Sequence, residues 1–331
     1  MRQTAVFLSL SLSMCLSSTA FAADSQLMNL VMPDAKILAG GNQTSALASP
    51  LGQFILTKFG KIPEDFITAT GFNPLQDISE VLAATAADPA NPGGLVLARG
   101  TFPVDKIAST LSGGKANWQV TAYGGATLIS TTNSKDKVAQ AVAFMGTSIA
   151  VAGDLASVKA AIDRSGGSNS IDPALAVIVN QLSTSEDEWL VSSVSVGSLI
   201  PPSASVDGAK GPAATLLPLL KSIQSLNGGI KFGDNVVVTG EAVANSPQNA
   251  AALDAVIKLA MTLGSSLTAN AANNPQLTSA IQLLQAVQVT TNGSNVDLSL
   301  SIPEAQIEGI VNSIPAKTKA VAGLQHPLQV Q

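Results

Sequence analysis

Residues 287–314 alternate between apolar and polar positions and then change to a helical period. Residues 287–291 and 296–302 flank Asn292 and Gly293, a dipeptide that strongly favours a β-hairpin turn. In the return strand one face carries Val296, Leu298, Leu300 and Ile302, and the other carries Asp297, Ser299 and Ser301. The apolar positions that follow are Ile307, Ile310, Val311 and Ile314. The segment therefore predicts a hairpin followed by a helix with one buried face.

The same order of elements occurs earlier in the chain. Residues 229–244 predict a second hairpin, after which Ser246 and Pro247 are typical of a helix N-cap and first helical position. Residues 141–152 predict a third hairpin, and Asp154 is placed to cap the helix after it. A partial case is the strand predicted at 95–102, followed by an apolar helical stripe over 104–111.

These recurring units predict an α+β fold. Hairpins give antiparallel strand pairs, and one-sided alternation indicates a sheet with one face on a core and one face on solvent. We therefore expect antiparallel β-sheets built from hairpins, with helices packed on one face, in an arrangement of two related halves. The alternative is that hairpin-plus-helix units are common enough to recur without duplication, because residue identity between the units is weak.

The amino terminus has the three parts of a secretory signal. Arg2 supplies a positive charge, residues 5–16 are apolar apart from serines, and Ala20 and Ala22 stand at −3 and −1 of a cut before Ala23. The apolar core is short of the roughly 20 residues that a membrane-spanning helix needs, which argues against an anchor. A lipoprotein cut at Cys15 is disfavoured because Met14 stands where such signals have a small residue. We expect export, with cleavage near Ala22.

The expected domains follow from this and from two loop-like segments, 165–170 and 200–212. Residues 1–22 form the signal peptide, 23–184 an N-terminal α+β domain, 185–315 a C-terminal α+β domain, and 316–331 a disordered tail. Cys15 is the single cysteine of the chain, so the mature protein is expected to have no disulfide and no thiol chemistry.

Charge and composition exclude several classes of partner. The chain has 17 Lys and Arg against 22 Asp and Glu, and loss of Arg2 lowers the 17 to 16, giving a mature net charge of −6. Without a basic cluster, binding to nucleic acid or to an anionic membrane surface is not expected. Charged residues make up 12% of the chain, about half the roughly 25% of ordinary soluble domains. The apolar surplus is either a larger core or a surface for a lipophilic ligand or a partner.

The residues that usually carry catalysis are nearly absent. The single histidine, His326, lies in the predicted tail, so a serine–histidine–acid triad or an imidazole metal site has no basis. No nucleotide-binding motif occurs, and residues 40–45 are interpreted as a Gly-rich turn without a lysine for phosphate. The acidic pairs and runs at 64–65 and 186–188 are interpreted as solvated helix starts rather than as facing carboxylates. We therefore expect no cofactor and no metal.

Arg99 is the one candidate ligand-binding side chain. It lies within an otherwise apolar predicted strand, where a guanidinium is suited to anchor a carboxylate or phosphate. The alternative, which we favour, is an outward-facing charge that protects the strand from aggregation.

Four stretches resemble exported bacterial proteins of unknown function: residues 71–78, 94–102, 148–162 and 295–310. The resemblance implies export and an α+β fold, and it implies nothing catalytic.

The sequence thus favours an exported, non-enzymatic binding or interaction protein, in the periplasm or outside the cell, whose partner is a lipophilic small molecule or an envelope protein. Two alternatives remain open. One is a hydrolase in which the fold brings two distant carboxylates together, one with a raised pKa. The other is a structural envelope protein with a self-complementary face.

Overall fold

The structure is a computed structural model that describes residues 22–60, 62–88, 93–113, 118–131, 138–168, 171–199, 212–271 and 275–313. Its strands are β1 (Ile37–Asn42), β2 (Ile78–Thr85), β3 (Gly94–Gly100), β4 (Trp118–Tyr123), β5 (Ala126–Thr131), β6 (Gln140–Met145), β7 (Ile149–Asp154), β8 (Glu188–Ser192), β9 (Ile223–Lys231), β10 (Asn235–Ala244), β11 (Val287–Asn292) and β12 (Asn295–Pro303). The helices are α1 (Ser25–Leu30), α2 (Gln43–Ala48), α3 (Pro50–Phe59), α4 (Glu64–Thr70), α5 (Pro74–Asp77), α6 (Val104–Gly113), α7 (Leu155–Arg164), α8 (Pro173–Ser185), α9 (Val196–Leu199), α10 (Pro212–Ser222), α11 (Pro247–Ala271), α12 (Pro275–Ala286) and α13 (Glu304–Ser313).

All twelve strands belong to one antiparallel sheet, in the order β11-β12-β10-β9-β8-β1-β2-β3-β7-β6-β5-β4. This confirms the predicted α+β class. The three predicted hairpins are present as β6–β7, β9–β10 and β11–β12, each followed by a helix. The predicted caps are also present: the Ser157 amide donates to Asp154 Oδ1 at 2.9 Å, and the Asn249 amide donates to Ser246 Oγ at 3.2 Å.

The strand order is similar on the two sides of the contact between β1 and β8, over five strands on each side. Moving outward from β8, the order is β9, β10, β12, β11, and moving outward from β1 it is β2, β3, β7, β6. The central pair is antiparallel, with Ala39 opposite Leu190 and Gly41 opposite Glu188. Two further strands, β5 and β4, extend the sheet beyond β6 and have no counterpart beyond β11, so the order repeats in part and the relation between the halves stays a prediction. The predicted boundary between residues 184 and 185 lies in the last turn of α8, just before β8, and the division into two domains stays a prediction.

The first face of the sheet carries the main core. Strand side chains on this face, among them Leu38, Leu82, Leu97 and Val151, are fully buried or nearly so. They pack against α1, α7 and α8, which contribute Leu27, Val158 and Val179. In the second half this face turns polar along β10 and β12, where Ser299 and Ser301 are exposed as the alternation predicted.

The second face carries two smaller cores, one toward each end of the sheet. Ala98, Ile129 and Phe144 pack against α6, and its residues Ile107 and Leu111 belong to this cluster. At the other end Ala242 and Val296 pack with Leu219 of α10 and Leu253 of α11. Helices therefore cover both ends of the second face, and a gap remains between them over the central strands.

Residues 40–45 do not form the predicted Gly-rich turn. Gly40 and Gly41 lie inside β1, because their missing side chains make room for neighbours on β8, and residues 43–45 begin α2. His326 and the predicted tail at 316–331 lie outside the described residues, as do Cys15 and most of the predicted signal peptide. Within the part of the chain described, no helix has the length and apolarity to cross a bilayer.

Candidate functional site

The gap on the second face is an open trough at the junction of the two halves. Its volume is about 490 Å³, and it crosses five neighbouring strands from β2 to β10. Its lining includes Ala39, Gly41, Gln43, Val81, Ala83, Glu188, Leu190, Leu226, Gly228, Ile230 and Val238.

The register of the strands explains why the trough is apolar. Cross-strand partners share a face, and the pairs Ala39–Leu190, Ala39–Ala83 and Gly41–Val81 place small or aliphatic residues side by side. The small residues leave space above the strands, and the larger apolar side chains around that space remain exposed to solvent. Leu190 is 39% exposed, and Val96, the partner of Ala83, is 49% exposed. Such a patch is suited to an apolar occupant.

Glu188 is the single ionisable side chain among the described residues that line the trough. Its carboxyl group extends across β1 and occupies the space where Gly41 has no side chain. In the described part of the chain the carboxyl makes no hydrogen bond or ion pair. Burial, together with the adjacent charge of Asp187, raises the pKa of Glu188 from its usual 4.5 to about 7. A substantial fraction of this carboxyl is therefore protonated at neutral pH.

Asp187 faces away from the trough and is held in the structure. Its Oδ1 lies 3.0 Å from Lys231 Nζ, and its Oδ2 accepts from the Phe232 amide at 2.8 Å. The acidic run 186–188 is therefore not a solvated helix start. Glu186 follows the last residue of α8, and Asp187 is buried. The pair Glu64 and Asp65 does lie in the first turn of α4, as predicted.

A second, much smaller cavity lies where the end of α8 meets β1 and β8. Its volume is about 60 Å³, and the charged residues that line it are Glu80, Glu186, Asp187 and Lys231, with Ala23 and Ser183 beside them. Burial raises the pKa of Glu80, and the charge of Asp24 adds to the effect, whereas the hydrogen bond from the Asp24 amide and the charge of Arg99 oppose it. We call this cavity the acidic crevice.

Arg99 lies at neither site. Its Nε donates to Asp24 Oδ2 at 2.7 Å and its Nη2 donates to Gln26 Oε1 at 2.6 Å. Asp24 is also the N-cap of α1, accepting from the Gln26 and Leu27 amides. The guanidinium thus fastens the start of α1 to β3. Its role as a ligand anchor stays a prediction.

Sequence reasoning missed Glu188 as a site residue. Two signals bear on it: the alternation of 188–192 places Glu188 and Leu190 on one face, and paired glycines within a strand mark close approach by another group. Neither signal shows that β1 and β8 are neighbours in the sheet. It is the pairing of these two strands that places the Glu188 carboxyl over Gly41. Within the described residues, no group of three or more His, Cys, Asp or Glu side chains is arranged to hold a metal ion.

Comparison with known proteins bears on the fold. No protein-family model and no curated protein sequence matches the chain. Among solved structures, crystal form III of TP0453 is similar with a TM-score of 0.50 and 9% identity, over 87% of this chain and 98% of that chain. Crystal form I of the same protein gives a TM-score of 0.48 and 10% identity, over 88% and 98%. At this identity the similarity concerns the fold alone: the chain has an α+β architecture similar to that of TP0453.

Proposed function

We propose that this protein is an exported, non-enzymatic binding protein that holds a lipophilic small molecule in the trough. The observation that carries the proposal is the trough itself, an apolar depression at the centre of the sheet with helices on both sides. Its volume of about 490 Å³ lies in the range of small-molecule sites, about 300–1,000 Å³. Export is supported by the signal-like residues 1–22, which precede the first described helix directly.

The shape of the trough favours a small molecule over a protein partner. The cores formed with α6 and with α10–α11 stand on either side of it, so a flat protein surface would meet these helices before it met the floor. A flexible aliphatic chain can lie between them and cover Leu190 and Leu226. Burying apolar surface stabilises such a complex by roughly 25 cal/mol per Å² before the cost of immobilising the ligand.

Glu188 determines which polar group a ligand in the trough should carry. An apolar ligand that covers this carboxyl removes more water from it, which favours the neutral, protonated form. A protonated carboxyl donates one hydrogen bond, so it matches a hydroxyl or ester oxygen. The ligand class is therefore an uncharged aliphatic molecule with one oxygen-containing group near its end.

The hydrolase alternative gains less support. A hydrolase with two carboxylates needs both of them beside one substrate, and Glu188 is the single acid among the described residues that line the trough. The acidic crevice does bring Glu80 close to Glu186, which are distant in sequence, but its volume of about 60 Å³ is far below the roughly 300 Å³ at which substrate-sized sites begin.

Titration with decanol tests the proposal. We expect decanol to bind the mature protein by calorimetry, and Leu190→Asn to weaken binding by about tenfold or more, since a buried leucine contributes about 1.5–3 kcal/mol. The matched control is Val177→Asn, an exposed valine on α8, which packs on the first face. Equal effects of the two variants, or no binding at all, would refute the assignment of the trough as the site.

A further inference from the structure

The first residues of the fold lie in the acidic crevice. The backbone nitrogen of Ala23 donates to Ser183 Oγ at 3.0 Å, and Ala23 is part of the crevice wall. The next nitrogen, that of Asp24, donates to Glu80 Oε1 at 2.9 Å. The chain thus enters the structure through a cavity that three carboxylates line, together with the Lys231 ammonium and several uncharged residues.

The expected signal cleavage falls before this same residue. Hydrolysis of the Ala22–Ala23 bond adds one water: the carbonyl carbon of Ala22 becomes a carboxylate, and the Ala23 nitrogen becomes an α-amino group. Near neutral pH this group is largely protonated, because its ordinary pKa is about 7.7–8.0. An amide with one N–H is thereby replaced by an ammonium with three donors and a positive charge.

The crevice has the charge and the unused acceptors that an ammonium needs. Glu186 Oε2 is buried and has no hydrogen-bond partner in the part of the chain described. Glu80 is partly desolvated and accepts from Asp24, one residue from the cut. Asp187 has Lys231 as its cation, and Asp24 has Arg99, so the charges of these two acids are already compensated.

We infer that the acidic crevice binds the α-ammonium of the mature amino terminus of this chain, with Ser183 as a hydrogen-bond acceptor and Glu80 and Glu186 as counter-ions. The observation is a juxtaposition: the nitrogen that cleavage would convert into an ammonium already lies in a small cavity with Glu80 and Glu186, which form no ion pair within the described residues. This site is separate from the trough, so the inference does not depend on the proposed ligand.

The bound terminus would secure α1. This helix begins two residues after the cut and places Leu27 and Leu30 in the main core with almost no exposed surface. An ammonium in the crevice adds a charge-assisted anchor beside the Arg99–Asp24 ion pair. Before cleavage the same nitrogen is an uncharged amide, and Glu80 and Glu186 lack this counter-ion.

Two forms of the protein test the inference, one beginning at Ala23 and one retaining Phe21 and Ala22. We expect the α-amino pKa of the Ala23 form to lie above the ordinary range of about 7.7–8.0 when followed by nitrogen-15 NMR. Because that pKa is raised on folding, the added stability is complete below the ordinary pKa and is lost as pH rises through the raised one. The Ala23 form should therefore melt at a higher temperature than the extended form at about pH 7, and the two should converge at about pH 11.

Glu80→Gln should return the α-amino pKa toward its ordinary value, whereas Glu64→Gln, at an exposed position on α4, should leave it raised. An α-amino group that titrates in the ordinary range in the Ala23 form, with equal melting of both forms, would overturn the inference. Amino-terminal sequencing of the protein from its native envelope that begins at another residue would also overturn it.

Discussion

The carboxyl group of Glu188 lies over the backbone of Gly41 on the neighbouring strand, in the space that any other residue would fill with its Cβ. On the opposite face of the same strand, Gly40 gives the same room to the indole of Trp189. Adjacent glycines therefore have two different consequences. One lets an aromatic ring complete the main core, and the other lets a carboxyl group lie within an apolar trough.

The two glycines should respond differently to alanine. At Gly41 the new Cβ meets the mobile end of Glu188, so we expect Gly41→Ala to retain the fold, to move the carboxyl toward water and to lower its pKa from about 7. Carbon-13 NMR of the labelled carboxyl measures this. At Gly40 the Cβ would lie 2.5 Å from Trp189 Cζ2, and a buried ring cannot move freely, so Gly40→Ala should cost about 1–3 kcal/mol of unfolding free energy. A Gly41→Ala protein with an unchanged Glu188 pKa would contradict the placement of the carboxyl.

The raised pKa of Glu188 makes stability depend on pH. In the unfolded chain this carboxyl ionises near 4.5 and in the folded protein near 7, so the folded state holds the proton over that window. The free energy of unfolding should therefore fall as pH rises from about 4.5 to about 7 and then level off. Glu188→Gln removes this contribution, and urea unfolding should find the variant more stable than the parent at about pH 8 and equal to it at about pH 4. Glu64→Gln controls for the loss of one negative charge.

The affinity for an uncharged ligand should also depend on whether the Glu188 carboxyl is protonated. Decanol covers Glu188 and favours its neutral form, so its affinity should fall by up to about tenfold between about pH 6 and about pH 8. The variant Glu188→Gln should bind equally at both pH values. Calorimetric titrations at the two values, with Val177→Asn as the folded control, measure this. Decanol affinity that stays constant or rises between these pH values would contradict a role for the neutral carboxyl of Glu188 in binding.

Removing Asp187 should destabilise the protein much more than removing its ion-pair partner Lys231. Lys231 is 53% exposed at its side chain, so Lys231→Met should cost less than about 1 kcal/mol. Asp187 is buried and also accepts from the Phe232 amide, so Asp187→Ala should cost about 1–3 kcal/mol because that amide loses its acceptor. Equal costs in chemical denaturation would contradict this division of roles.

The three hairpins were predictable because their signals are local. Asn292-Gly293, the alternation from Val296 to Ile302 and the caps Asp154 and Ser246 each act within a few residues, and the structure has all of them. The central strands carry weaker signals. β1 contains two consecutive glycines, and β9 begins six residues earlier than the hairpin predicted at 229–244, with Asn227 and Gly228 in its interior. These residues are poor strand formers, and pairing on both sides holds them in the sheet.

The two candidate sites were less predictable from the sequence than the strands, because both sites depend on contacts between segments that are distant in the sequence. The trough needs β1 beside β8, a contact between residues about 150 positions apart. The acidic crevice needs Ala23 beside Ser183, which are 160 positions apart. Low charge and high apolar content left open whether the apolar surplus lay in a larger core or on the surface, and the trough is an apolar surface that composition alone could not locate.

The most direct test of the proposed function is the mass of the protein as it leaves its native envelope. We would purify it without detergent and record its native mass spectrum together with that of Leu190→Asn. A lipophilic ligand in the trough predicts a reproducible extra mass of small-lipid size on the parent, reduced on Leu190→Asn and retained on Val177→Asn. A bare monomer mass for the parent, or an extra mass that Leu190→Asn keeps in full, would contradict it.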